Sequence, residues 1–173
     1  STLEHCFVTF RVKVPLFVRS QHHRHRTWSY NEISRRYTDF DIQFYEPEAF
    51  RTQHKSNRQA SNADQLIDPQ AYPTISLMRV SELLEYKTTE CLQTYETLID
   101  AGVCREQARM ILPQNMYTEY YGTCNLNNLV KFLDLRIDDH AQWEIQKVAE
   151  ACREIAEGLW PETIKAYNET RNI

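Results

Sequence analysis

Between Gln21 and Tyr37 the chain reads Gln-His-His-Arg-His-Arg-Thr-Trp-Ser-Tyr-Asn-Glu-Ile-Ser-Arg-Arg-Tyr, with four arginines and three histidines in one short run. The whole chain carries a net charge of -4, so this positive charge is gathered in one place rather than spread for solubility. Guanidinium forks match phosphate oxygens, and here they come with hydroxyls, the Glu32 carboxylate and tyrosines. That mixture suits a polyanionic ligand with a polar ring, and the stretch reads as a nucleotide site. Two further clusters carry unusual chemistry. In Ala108-Arg109-Met110-Ile111-Leu112-Pro113 a single Arg sits among apolar residues and needs a partner or an anionic ligand. The third cluster, Asp134 to Glu144, contains Arg136 and His140.

Other chemistries fit these residues less well. Taken alone, the Arg/His stretch could be a solvated basic face. Nucleic-acid binding is the stronger rival, but the pI near 5.9, the lack of a second basic patch and Glu32 inside the cluster weigh against it. His22, His23 and His25 scatter around a helix without a convergent carboxylate or Cys, so no metal site is expected. Ser34 lacks the context of a hydrolytic nucleophile and could equally cap a turn. Arg109 and Arg136 could instead be salt-bridged to Glu106 and Asp138, and Trp143 reads as core.

The elements that must hold these residues follow from periodicity. Val8, Phe10, Val12 and Val14 alternate with Thr9, Arg11 and Lys13, which predicts a half-buried strand. Pro15 then opens a helix over roughly 16–26, on which Gln21, Arg24 and His25 share a face at i, i+3, i+4. Residues 30–37 read as an ordered loop or a single helical turn, and Phe40, Ile42 and Phe44 as a second strand. Residues 46–68 are polar and turn-rich, a long excursion expected to be mobile. Helices are expected over 74–101, ending at Gly102, then over 105–112, 125–135 and 141–159, with a short last helix from Trp160-Pro161. A third strand covers 117–124. The elements do not alternate strictly, which predicts an α+β fold with an antiparallel sheet packed against long helices.

At 173 residues, 42% of them hydrophobic, the chain reads as a single domain over 1–173. Three glycines and no phosphate-loop sequence mean that phosphate must be held by side chains or helix N-termini. No apolar run is long enough for a membrane span, so no membrane partner is expected. Five scattered cysteines without a CxxC pair favour reduced thiols and a cytoplasmic protein. The chain opens at Ser1 almost directly into a strand, so a preceding N-terminal segment is expected.

Taken in order, the motifs resemble those of the flavin-dependent thymidylate synthases. Arg24-His25-Arg26 is followed after seven residues by Ser34, the spacing of that family's signature. The flanking Ser29-Tyr30-Asn31-Glu32 and Arg36-Tyr37 match as well. So do Val12-Lys13-Val14-Pro15, Arg109 to Pro113, Leu135-Arg136 and His140 to Ile145, covering essentially the whole chain. The resemblance implies a homotetramer with shared active sites that binds FAD and methylates dUMP to dTMP. Methylenetetrahydrofolate and NADPH are the implied co-substrates, and no nucleic acid is involved. It further implies that Gln21, Arg24, Glu32, Ser34, Arg35 (through its backbone N–H) and Arg36 line the dUMP pocket. Arg109 and Arg136 are implied to reach that pocket from a neighbouring subunit, Arg136 as the catalytic residue beside the uracil ring. Ser1, Glu4, Arg24, His25, Arg26, Glu32, Asn125, Asn127, Lys131 and His140 are implied as FAD contacts. Asn127 and Lys131 depart from the family pattern, which has Arg and Asn there.

Overall fold

The computed structural model describes residues 1–34, 42–57, 60–71 and 78–171. Three strands form the main sheet: β1 (Phe7–Pro15), β2 (Ser29–Glu32) and β5 (Tyr117–Asn125). They run antiparallel in the order β1-β5-β2, with Arg11 opposite Tyr121 and Ser29 opposite Thr123. The predicted alternation holds along β1, where Val8, Phe10, Val12 and Val14 are buried and Phe7, Thr9, Arg11 and Lys13 are exposed. On the outer face Thr9 and Thr123 share a hydrogen bond of 2.8 Å, and Arg11 pairs with Glu119.

Helices α4 (Leu126–Arg136), α5 (Trp143–Leu159) and α6 (Pro161–Arg171) cover the inner face. Leu126, Leu129, Phe132 and Leu133 from α4 meet Ile145, Ala149, Cys152 and Ala156 from α5, an i, i+3, i+4 stripe on each helix. Trp28 is 5% exposed and lies against β5, where a Cβ on Gly122 would come 3.3 Å from its ring. Glycine at 122 lets the indole approach the strand this closely.

A second cluster joins α2 (Val80–Asp100) and the short α3 (Arg105–Ala108) to the start of β5 through Tyr95, Ala108, Leu112 and Met116. Gly102, at φ 88°, ends α2 as expected: its N–H donates to the Ile99 carbonyl and that of Val103 to the Leu98 carbonyl. Helices and antiparallel strands thus assemble as the expected α+β fold.

Five expectations change. Helix α1 (Leu16–His22) stops four residues early, because the chain must turn back to bury Trp28 against Phe10 and Gly122. Residues 29–32 are a strand rather than a loop or helical turn, since hydrogen bonding to β5 prevails over a weak local pattern. The excursion at 46–68 contains an antiparallel hairpin, β3 (Phe50–Gln53) and β4 (Ser61–Ile67). It is tied to the body by an ion pair between Arg51 and Glu144, with side chains 19% and 11% exposed. Of the second strand, residues 40 and 41 lie outside the described residues, and Phe44 makes a single bridge to Met116. The long helix, expected from 74, begins only at Val80, because Arg79 is held in a bridge to Gln70; residues 74–77 lie outside the described residues.

Candidate functional site

Helix α1 places Leu16, Arg19 and Ser20 on one face, at i, i+3, i+4, along a cleft of about 720 Å³. The end of β2 and the residues just after it supply Glu32 and Ser34, α3 supplies Glu106, the turn after α3 supplies Arg109, and β5 supplies Thr118. Leu112 and Met116 add apolar lining. Glu32 is clamped in place: Arg19 Nε donates to both carboxylate oxygens at 3.0 Å and Arg19 Nη2 to Oε2 at 2.7 Å. Thr118 Oγ1 donates to Oε1 at 2.7 Å. Burial raises the Glu32 pKa, but the hydrogen bonds from Arg19 and Thr118 outweigh it and hold the carboxyl below its ordinary value.

Arg109 stands at the rim and is exposed, its Nε donating to the Glu106 carbonyl at 3.3 Å. Its apolar neighbours Met110 and Ile111 are 79% and 38% exposed, so the residue is not an arginine trapped in a core. One chain brings Arg109, Glu32 and Ser34 to the same cleft. Folding of α3 and its following turn against the start of β5 is the physical reason. Arg35 and Arg36 lie outside the described residues.

Arg136 is elsewhere. It ends α4, half-buried, and its Nε donates to His25 Nε2 at 3.1 Å. His25 packs edge-on against Phe132, and its pKa is lowered to about 4, first by burial and then by Arg136. The imidazole is therefore neutral and accepts from the guanidinium, while burial also lowers the Arg136 pKa. Gln21, expected to share a face with Arg24 and His25, instead donates its amide N–H to Gln142 Oε1 at the start of α5. The shortened helix is the reason: Arg24 and His25 lie in the turns beyond it.

The expected flavin contacts fall into two groups. Ser1, Glu4, Asn125, Asn127 and Lys131 gather at the amino end of α4. There Asn125 Oδ1 caps the helix by accepting from Asn128 N–H at 2.9 Å, and Lys131 is within electrostatic reach of Glu4. His25 and Arg136 lie at the other end, about 16 Å away along an eleven-residue helix. A ligand touching both groups must be extended. His140 is on the surface, bonded to Asp138 through both its N–H and its ring at 2.8 and 3.0 Å. No His/Cys/Asp/Glu group suited to a metal occurs among the described residues.

The cations are unevenly paired. Arg11, Arg19, Arg51 and Arg153 each have a carboxylate partner. Among the described residues Arg24, Arg26, Arg79, Arg109 and Arg136 have none within ion-pair distance, Arg79 donating instead to the Asp68 backbone carbonyl, in a chain with 24 acidic residues against 20 Lys and Arg.

Residues 1–162 match the thymidylate synthase complementing protein family. The flavin-dependent thymidylate synthase of Kosmotoga olearia is 40% identical over 167 residues, covering 96% of this chain and 70% of that one. The chain belongs to the flavin-dependent thymidylate synthase family. A Thermus thermophilus relative is 45% identical over 169 residues, covering 98% of this chain but 59% of its own length. The chain thus spans less than two thirds of the Thermus enzymes that it matches. Among solved structures, the UMP/dUMP methylase PolB of Streptomyces cacaoi bound with 5-Br dUMP superposes with a TM-score of 0.77 at 31% identity. That superposition covers 98% of this chain and 73% of PolB. With 5-Br UMP bound the TM-score is 0.81 at 32% identity, covering 96% and 75%.

Sequence reasoning missed Arg19, Glu106 and Thr118. Arg19 was within reach, since Leu16, Arg19 and Ser20 have helical spacing, but it precedes the Arg/His stretch. Thr118 follows from strand alternation on β5 once the cleft side of the sheet is known. Glu106 carries no signal of its own.

The histidines next to the site give a pH prediction. His22 is fully buried among Trp28, Tyr30, Tyr120 and Phe132, its Nδ1 2.7 Å from Tyr120 OH. Burial, followed by the charges of His25, His23 and Arg136, lowers its pKa from 6.5 to about 3. Above pH 6.5 neither the folded nor the unfolded chain protonates it. Below that value the unfolded chain takes up a proton that the folded one refuses. Stability should therefore fall from pH 6.5 down to about 4 for His25 and about 3 for His22. For His22 the slope is up to about 1.4 kcal/mol per pH unit. Urea midpoints measured between about pH 7.5 and about pH 5 should drop accordingly; an unchanged midpoint overturns the neutral-histidine assignment.

Proposed function

We propose that this chain carries out the reductive methylation of dUMP to dTMP as a cytoplasmic homotetramer, with FAD as cofactor and methylenetetrahydrofolate and NADPH as co-substrates. The observation that carries the reading is the set of arginines without carboxylate partners. Those at Arg24, Arg26, Arg109 and Arg136 are the arginines of the family motifs, in a chain with carboxylates to spare. Of these Arg136 is half-buried, and a guanidinium held so without an anion is costly unless a ligand supplies one, whereas the exposed Arg24, Arg26 and Arg109 are open to a ligand anion. The family supports the chemistry, and PolB supports a uridine nucleotide as substrate.

In this scheme Arg109 and Ser34 hold the dUMP phosphate at the cleft, together with Arg36, and the backbone N–H of Arg35 and the Gln21 amide orient the nucleotide. Arg136 lies beside the uracil and stabilises negative charge on its carbonyl and ring nitrogen, which makes the far ring carbon electrophilic. Arg136 meets His25 rather than lining the cleft of its own chain. Completion of each cleft by the Arg136 of a neighbouring copy would reconcile that separation with the shared sites of the proposed oligomer.

The donors also fit an extended anionic dinucleotide. Exposed Arg24, Arg26 and Lys131 suit its phosphates, Asn125 and Asn127 lie at the amino end of α4, and His25 and His140 lie towards its other end. When bound and reduced by NADPH, the flavin would supply a hydride to the uracil ring. Ser1 and Glu4 complete the set of contacts. The visible absorption spectrum of the purified protein, with FAD and then with dUMP added, tests the reading. A bound-flavin spectrum shifted by dUMP is expected. A free-flavin spectrum at all concentrations would remove FAD from the proposal and the synthase reaction with it.

A further inference from the structure

The Arg19–Glu32 pair contains more than a structural salt bridge. A guanidinium has five N–H donors, and Arg19 commits only Nε and Nη2 to Glu32. Its Nη1 edge makes no other hydrogen bond among the described residues. The side chain is 32% exposed and lines the same cleft as Arg109 and Ser34. Glu32, conversely, has both carboxylate oxygens occupied, each accepting from Arg19 and Oε1 also from Thr118. A saturated carboxylate is a poor acceptor for a ligand. It is well suited to fixing a cation, because it neutralises the near edge of the guanidinium and locks its rotamers before a ligand arrives.

We propose that Arg19 is a further ligand-binding residue of the cleft, presenting its Nη1/Nη2 edge to the phosphate of the bound nucleotide, with Glu32 as its positioning residue. The inference rests on the dUMP reading above and refines it: Arg19 joins the arginines already assigned to the phosphate, on the same cleft as Arg109. Arg19 comes already oriented, whereas Arg109 is tethered only through the Glu106 carbonyl. Glu32 then acts on the nucleotide through Arg19 rather than by touching it.

Binding of dUMP and of deoxyuridine, which lacks only the phosphate, separates the possibilities. Both are measured by calorimetry on the FAD-loaded protein. Arg19→Met keeps the apolar stem and should weaken dUMP by about ten- to hundred-fold, while deoxyuridine changes by less than about three-fold. Arg19→Lys should recover part of the dUMP affinity, since a lone ammonium keeps the charge but not the fork. Arg109→Ala should shift the two ligands in the same selective way. Because Arg19→Met leaves Glu32 half-buried without its partner, the double variant Arg19→Met/Glu32→Gln repeats the measurement without an uncompensated charge. Equal losses for dUMP and deoxyuridine in the double variant, or no loss of dUMP, overturn the assignment of Arg19. A wild-type protein that binds dUMP no better than deoxyuridine overturns the nucleotide reading itself, which is a different outcome.

Discussion

Arg136→Ala is expected to leave a folded, FAD-binding protein that no longer makes dTMP, with turnover lower by at least about a hundred-fold. The size follows from the role: a preorganised donor aimed at charge that develops in the transition state is worth roughly a hundred- to a thousand-fold in rate when removed. The stability side is equally specific. Arg136 is half-buried, its pKa is lowered by burial, and its one side-chain partner among the described residues is the neutral ring of His25. A cation held this way contributes little to folding, so the thermal midpoint should stay level or rise when it is removed. A structural arginine would do the reverse. Turnover within about ten-fold of wild type, or a clear fall in midpoint with activity per folded molecule retained, would dismiss Arg136 as the catalytic residue.

The same residue shows what the sequence could and could not disclose. That Arg136 is unusual was legible, because it ends an apolar stripe of Leu129, Phe132 and Leu133 where solubility does not call for it. Its partner was not, since His25 lies 111 positions away and the contact depends on how α1 ends. Long periodic segments, such as β1, α5 and the Gly102 stop, were read correctly because each carries its own pattern. The failures share a cause. Strand β2 presents Tyr30 and Glu32 inward, so a carboxylate occupies an inner position and the apolar alternation disappears. The hairpin of β3 and β4 is mostly polar and lacks a sustained apolar alternation, and its anchor is Arg51, which looks like any surface arginine until Glu144 is brought to it. The Arg/His stretch stood out by residue type, and the roles expected of its residues came from the family resemblance. The placing of Glu32 and Ser34 in the cleft beside Arg109, and of His25 against Arg136 elsewhere, is a tertiary fact that no local pattern carries.

That anchor leads to the largest expected effect on stability. Arg51 donates to Glu144 Oε1 and, through Nε, to Ser61 Oγ at 2.9 Å, and its guanidinium lies 4.8 Å from the centre of the Trp143 ring. Glu144 Oε2 accepts from Gln142 Nε2 at 2.8 Å, and Gln142 Oε1 accepts from Gln21. Because a carboxylate only accepts, Glu144 dictates which way the Gln142 amide points, and Gln142 in turn dictates the orientation of Gln21. Arg51→Ala leaves a largely buried carboxylate without its counter-ion. The expected cost is about 3 kcal/mol, seen as a thermal midpoint lower by about 6–12 °C. Glu144→Ala should cost a similar amount and also free the Gln21 amide, so that dUMP binding weakens while FAD binding persists. The double variant Arg51→Met/Glu144→Leu should recover most of the stability, since replacing both partners removes the uncompensated charge. It should not restore dUMP affinity, because no carboxylate is left to orient Gln142. Single variants with unaltered midpoints would mean that solvent screens the pair and that the hairpin is held by its own strands alone.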